Sequence, residues 1–283
     1  MKKELDQMSI LELIDEFDSL NYQTLKAIEE KRYEIEKICE LSVSSIKSNG
    51  RVIYVGAGTS GRIALLDSID VWPTFGENNW FKYSMAGGDD AVLKSLEGNE
   101  DNLELGFLDA QKMQIKENDL IIGLSASGNT RYVFGFMQFA KQVKAKTVLI
   151  TNKQNGICEE LSDLVCLIQL GDEIIQGSTR LRAGDAQKMI LNKISTITAI
   201  KMNKVYDNLM IDLKPINKKL INRSIEIISR ITNVPIELAQ EYYEKSNNDI
   251  KLACIMIVKN VSYEESKLIL EQSNHNLRKS LEQ

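Results

Sequence analysis

The stretch RVIYVGAGTSGR, Arg51 to Arg62, constrains the fold more than any other part of the chain. Four consecutive apolar residues, Val52 to Val55, read as a strand buried on both faces, and glycines at 56, 58 and 61 turn it into a helical pattern. A strand buried on both faces needs covering helices, and that points to an α/β architecture. The grammar returns downstream. Leu120 to Leu124, Thr147 to Ile150 and Leu164 to Leu170 are short apolar runs, and Trp80 to Met85 is a further candidate strand. Helical stretches at Thr130 to Val143 and Asn155 to Ser162 separate them, so βαβ units and a parallel sheet are expected.

The flanks are helical. Leu25, Ile28, Ile35, Ile38 and Leu41 recur at helical steps and predict one helix over Leu11 to Lys47. Ile63 to Asp70 is expected to form a helix that stops before Pro73, and another begins near Asp89 after the Gly87-Gly88 turn. Ala183 to Asn203 reads as one long helix. Beyond Pro215 strand signals cease, and helices are expected over Lys218–Ile231, Pro235–Lys245, Asp249–Lys259, Ser262–Gln272 and Asn274–Leu281. The expected organisation is N-terminal helices over 1–48, an α/β domain over 49–215 and a helical C-terminal part over 216–283.

Composition removes several functions. Forty acidic against 35 basic residues leave a net charge of −5, unlike a general nucleic-acid binder. No apolar stretch follows Met1-Lys2-Lys3, and no window approaches the ~20 apolar residues of a membrane span, so a cytoplasmic protein without a membrane partner is expected. The four cysteines, Cys39, Cys158, Cys166 and Cys254, have no metal-like spacing and read as reduced thiols. The single histidine, His275, stands in a polar run and reads as a turn residue or helix cap. Acid–base chemistry in such a chain falls to carboxylates.

Two turns are placed to bind an anion. Gly56-Ala57-Gly58-Thr59-Ser60-Gly61 joins a strand to a helix whose first N–H groups lack partners. It has G-x-G-x-x-G spacing, but the acid expected about 20 residues later in a dinucleotide fold has no clear counterpart. Gly123-Leu124-Ser125-Ala126-Ser127-Gly128-Asn129-Thr130 makes a second such turn, rich in hydroxyls. Two turns at the carboxyl ends of parallel strands suit one phosphate on a body of sugar size. Glu97-Gly98-Asn99-Glu100-Asp101 is an acidic cluster expected at the end of the helix after Gly88, and Asp70 is the acid nearest the Pro73 break.

Taken in order, GAGTSGR (56–62), PTFG (73–76), AGGDDAVLKSLEGNED (86–101), GLSASGNT (123–130), GSTRLRAGDAQK (177–188) and KVYDNLMIDLKPINKKL (204–220) resemble the N-acetylmuramic acid 6-phosphate etherase family. That family belongs to the sugar isomerase (SIS) superfamily and is related to the glucokinase regulatory protein. The resemblance implies a five-stranded parallel SIS sheet flanked by helices, a small helical C-terminal part, and a homodimer. It also implies cleavage of the D-lactyl ether of N-acetylmuramic acid 6-phosphate, by elimination and hydration, with no metal or organic cofactor. By motif, Glu100 corresponds to the base and Asp70 to the acid. Gly58, Thr59, Ser60, Ser125, Ser127, Gly128, Asn129 and Thr130 correspond to the phosphate-sugar contacts.

The chain departs from the family in several motifs. Asp70 stands for a glutamate, and Trp72 for a small ring beside it. Asn129 and Arg131 replace an arginine and a proline, Asp185 a threonine and Asp207 a glycine. A non-catalytic sugar-phosphate regulator and a phosphosugar isomerase of the same superfamily therefore stand as alternative readings.

Overall fold

The computed structural model describes residues 3–94, 96, 98–215 and 217–282. The chain divides into two compact units, Met1–Ile69 with Asn79–Ser195, and Asp70–Asn78 with Thr196–Gln283. The strands of the first are β1 (Val52–Gly56), β2 (Phe81–Met85), β3 (Leu120–Leu124), β4 (Lys146–Thr151) and β5 (Leu164–Leu167). They pair in parallel in the order β2-β1-β3-β4-β5, so the expected parallel sheet is present. Gly56 pairs with both Met85 and Leu124, which brings the ends of three strands to one edge.

The first unit also contains α1 (Ile10–Glu29), α2 (Arg32–Lys47), the start of α3 (Gly58–Phe75), α4 (Asp90–Leu93), α5 (Leu103–Lys112), α6 (Arg131–Gln142) and most of α7 (Arg182–Lys201). Strand residues alternate between faces. Ile53, Val55, Ile121 and Leu149 therefore pack against Tyr132, Val133, Phe136, Met137 and Ala140 of α6 and against Ala110 of α5. The central strands β1 and β3 are buried throughout, as parallel strands with covered faces must be, while the edge strands β2 and β5 are partly exposed.

Several local expectations are corrected. The single helix over Leu11 to Lys47 is two, because the backbone leaves the helical region at Lys31 (φ −100°, ψ 19°). There the Lys31 N–H turns back to the Ile28 carbonyl at 3.0 Å. The helix expected to stop before Pro73 instead runs to Phe75. Proline's fixed φ is helical, Thr74 Oγ1 donates to the Asp70 carbonyl at 3.0 Å, and the Gly76 N–H donates to Trp72 at 2.8 Å. Asn155 to Ser162 yields only a 3-10 turn, Ile157–Leu161, where Gly156 is pressed against Gly128. The strand from Leu164 ends at Leu167 rather than Leu170.

In the second unit, α7 is followed by a hairpin, β6 (Val205–Tyr206) and β7 (Leu209–Met210), that sequence reading did not anticipate. Asp207 takes φ +52° in its two-residue loop, a conformation that aspartate tolerates and primed turns require. Five helices follow, α8 (Lys218–Thr232), α9 (Ile236–Lys245), α10 (Ile250–Lys259), α11 (Tyr263–Gln272) and α12 (Leu277–Glu282). Their core gathers Ile228, Ala239, Tyr243, Ala253, Cys254 and Ile255. Asp249 caps α10, and Ser262 with Glu265 forms a capping box on α11. His275 is exposed with φ +57°, in keeping with a turn residue.

Candidate functional site

The start of α3 follows β1 after one residue, and Gly58 begins the helix at φ +53°. A Cβ there would meet nothing within 4 Å, so the turn is open to solvent as well as left-handed. The Gly61 N–H, on the Ala57 carbonyl at 3.3 Å, is the first with an intrahelical partner, which leaves those of Gly58, Thr59 and Ser60 free of one. The hydroxyls of Thr59 and Ser60 make no hydrogen bond among the described residues. These groups and the helix dipole favour an anion. The start of α7 differs. Glu173 fills it, accepting from the Arg182 and Ala183 N–H groups at 2.9 Å each. Burial and Glu173 together push the nearby Asp185 carboxyl up.

A cleft of 410 Å³ opens beside the first turn. Ala57 and Gly58 form one wall, Met85 and Ala86 at the end of β2 another, and Gly98, Asn99 and Glu100 a third. Glu100 does not end a helix, as the sequence suggested. The helix after Gly88 stops at Leu93, and Glu100 sits in a separate 3-10 turn, Asn99–Asp101, entered through Gly98 at φ +82°. Its carboxylate is exposed and has no hydrogen-bond or ion-pair partner among the described residues. Glu97, of the same acidic cluster, lies outside the described residues. Arg62 and Lys94, which sequence reasoning did not single out, are the cations of this cleft. The only signal for Arg62 was its place one helical turn beyond Gly58.

The second turn is internally bonded. Ser125 is buried, and its Oγ lies 2.8 Å from Thr130 Oγ1. The Asn129 N–H donates to Ser127 Oγ at 3.1 Å, and Asn129 Oδ1 accepts from the Ile157 N–H at 3.1 Å. Gly128 (φ +71°) gives its carbonyl to the Cys158 N–H at 3.0 Å. Gly58 and Glu100 thus share one cleft, while Ser125, Ser127, Gly128, Asn129 and Thr130 form their own network at the end of the adjacent strand. Asp70 lies in the second unit, exposed, with a carboxylate that has no partner among the described residues. Those residues contain no group of three or more His, Cys, Asp or Glu side chains able to hold a metal. None of their helices is long and apolar enough to cross a membrane.

Residues 34–141 match the glucokinase regulatory protein N-terminal SIS domain, and residues 100–189 match the SIS domain. The N-acetylmuramic acid 6-phosphate etherase of Pseudothermotoga lettingae is 43% identical over 278 residues, covering 98% of this chain and 92% of that protein. Its counterpart from Francisella philomiragia is 39% identical, covering 96% and 92%. A phosphoheptose isomerase structure from Francisella tularensis is similar with a TM-score of 0.54, covering 68% of this chain and 100% of that one. At 17% identity it speaks for the fold alone. With such identity to etherases along nearly its whole length, the chain belongs to the N-acetylmuramic acid 6-phosphate etherase family.

Proposed function

We propose that the protein is a carbon–oxygen lyase that converts N-acetylmuramic acid 6-phosphate and water into N-acetylglucosamine 6-phosphate and D-lactate. The observation that carries the reading is Glu100, an exposed carboxylate without a partner among the described residues, on a cleft walled by the start of α3. The helix start, with Gly58, Thr59 and Ser60, takes the 6-phosphate. Ser125, Ser127, Gly128, Asn129 and Thr130 frame the sugar-phosphate from the neighbouring strand end.

The chemistry follows from the open-chain sugar. The C1 carbonyl acidifies the C2 proton, and Glu100 removes it as general base. The freed electron pair forms the C2=C3 bond while the C3–O bond breaks, and Asp70 protonates the departing lactyl oxygen. Water then adds at C3 of the enal and C2 regains a proton, so atoms balance without a redox partner. Asp70 is one methylene shorter than the family's glutamate, and a misplacement of about 1 Å costs about 10²-fold in rate. The Asp70→Glu variant is therefore expected to be faster than the natural chain, and Asp70→Asn much slower.

Two further parts of the reading rest on the surface and the thiols. A homodimer is supported by Ile10, Ile14 and Phe17, which expose an apolar row along α1, and sedimentation tests it. A cytoplasmic setting suits four free, buried cysteines. The primary test is incubation with N-acetylmuramic acid 6-phosphate and an enzymatic D-lactate readout. Lactate release is expected. A protein that binds sugar phosphate yet yields no lactate above background at high concentration would instead be a regulator, and the etherase reading would fall.

A further inference from the structure

Arg62 makes contacts that no part of the proposed chemistry requires. Its Nε donates to the Val92 carbonyl at 3.0 Å, and its Nη2 donates to the carbonyls of Ala91 at 2.8 Å and Lys94 at 3.1 Å. All three acceptors lie at the end of α4, a four-residue helix too short to hold itself. The last carbonyls of any helix lack internal partners, and a guanidinium satisfies several at once. No carboxylate pairs with Arg62 among the described residues, so its charge is spent on neutral carbonyls.

The segment thus tethered leads directly into the turn that carries Glu100. Its described residues are open to solvent: Leu93 is 88% exposed, and Leu96 and Gly98 are exposed too. Its second anchor is the Gly87 turn, where a Cβ would fall 2.6 Å from Asn99 Nδ2, so the Asn99 side chain occupies the space glycine leaves. One anchor comes from the end of β2, the other from the helix whose start forms the anion cradle. Arg62 lies four residues, about one helical turn, beyond Gly58.

We propose that Arg62 is a positioning residue that fixes the Glu100 turn relative to the start of α3, so that the base stands at a set place beside a bound phosphate. The proposal rests on Glu100 as the base, but the tether itself does not depend on that role. A lysine supplies one compact donor where the guanidinium supplies two nitrogens in a fixed plane, so Arg62→Lys should keep only part of the tether.

The experiment has two arms. The first is hydrogen exchange of the peptide spanning residues 90–101 in the whole protein. Arg62→Ala should speed exchange there by about tenfold or more, as loss of a local tether does, while the strands stay protected and the melting temperature moves little. The second is steady-state lactate release. Arg62→Ala should lower kcat by about 10²-fold, the scale of a misplaced reacting group, with KM within a few-fold, and Arg62→Lys should fall between. Millimolar guanidinium should restore part of the Arg62→Ala rate, and sodium chloride of equal ionic strength should not. A loss confined to KM, or no local rise in exchange in either variant, would overturn the proposal. If the natural chain releases no lactate, the etherase reading fails, and the exchange arm still decides whether Arg62 holds this segment.

Discussion

The two strand-to-helix turns are close to identical in sequence grammar and opposite in structure. The first leaves Gly58 open to solvent and the hydroxyls of Thr59 and Ser60 without partners among the described residues. The second spends its polar groups on itself: Ser125 on Thr130, Ser127 on Asn129, Asn129 on Ile157 and Gly128 on Cys158. The first is ready to receive an anion because its donors cost nothing to free. The second is a braced frame, and a ligand that used its hydroxyls would have to exchange existing bonds. A run of small residues at a strand end therefore does not by itself distinguish a cradle from a brace. What distinguishes them is whether a neighbouring segment, here the 3-10 turn after Gly156, supplies competing partners.

The largest effect expected from this contrast lies in the cleft beside the open turn. Glu100→Gln should lower lactate release by about 10²–10⁴-fold, the usual worth of a positioned general base. Binding of N-acetylglucosamine 6-phosphate, followed by calorimetry, should persist. Equal loss of binding would mean that Glu100 holds the sugar rather than its proton. Next come paired alanine substitutions at the two left-handed glycines. Gly58→Ala meets only the left-handed strain of about 1–2 kcal/mol, because nothing stands near its Cβ. Gly128→Ala adds a Cβ 3.1 Å from Gly156 Cα and 3.3 Å from Thr151 Oγ1, and such overpacking costs about 1–3 kcal/mol more. Urea unfolding that ranked the two variants equally would break the distinction between open and braced turns.

Much of this architecture was legible because it depends on local chemistry. The buried runs at Val52, Leu120 and Thr147 became strands, and Asp249 and Ser262 marked helix starts in the C-terminal region. The break at Lys31 was not legible, since neither glycine nor proline marks it. Nor was the run of α3 through Pro73, since a proline beyond the first turn forfeits a helical hydrogen bond and ordinarily marks a helix end. The Asp207-Asn208 turn was a readable hairpin signal, passed over between two-residue strands too short to show alternation. At the site, the glycines and Glu100 could be named from sequence. The role of Arg62 could not, because it consists of three carbonyls about 30 residues away.

A smaller effect should come from the body of α3, beneath the open turn. Asp67 is buried, 3.6 Å from Lys188 Nζ and 3.3 Å from Ser195 Oγ, and its Oδ2 lacks a hydrogen-bond partner among the described residues. Burial pushes its carboxyl above the ordinary value of 3.8, and Lys188 opposes that shift only in part. A raised folded-state pKa means that the folded chain holds this proton more tightly than the unfolded chain. The associated stability is full below the unfolded value and declines as pH rises through the folded one. Asp67→Asn should accordingly melt higher than the natural chain at pH 7, with the advantage shrinking toward pH 4. An Asp67→Asn chain that melts lower than the natural chain at pH 7, with the deficit closing toward pH 4, would show that the Lys188 contact, not the buried charge, governs this site.

The smallest change distinguishes the turns by reactivity. Cys158 lies beneath the braced turn: its N–H bonds the Gly128 carbonyl, and its Sγ sits 3.6 Å from the Thr130 carbonyl oxygen. Burial pushes its thiol up to about 12, so at neutral pH it is protonated as well as enclosed. The other three thiols are likewise buried and raised, and none should react with a thiolate-selective reagent while the chain is folded. Gly128→Ala should loosen the turn and make Cys158 the first to label, identified by peptide mapping. Gly58→Ala should leave all four as silent as in the natural chain. Labelling of Cys158 in the Gly58 variant would mean that the two turns move together, and that the open one is held by the brace beside it.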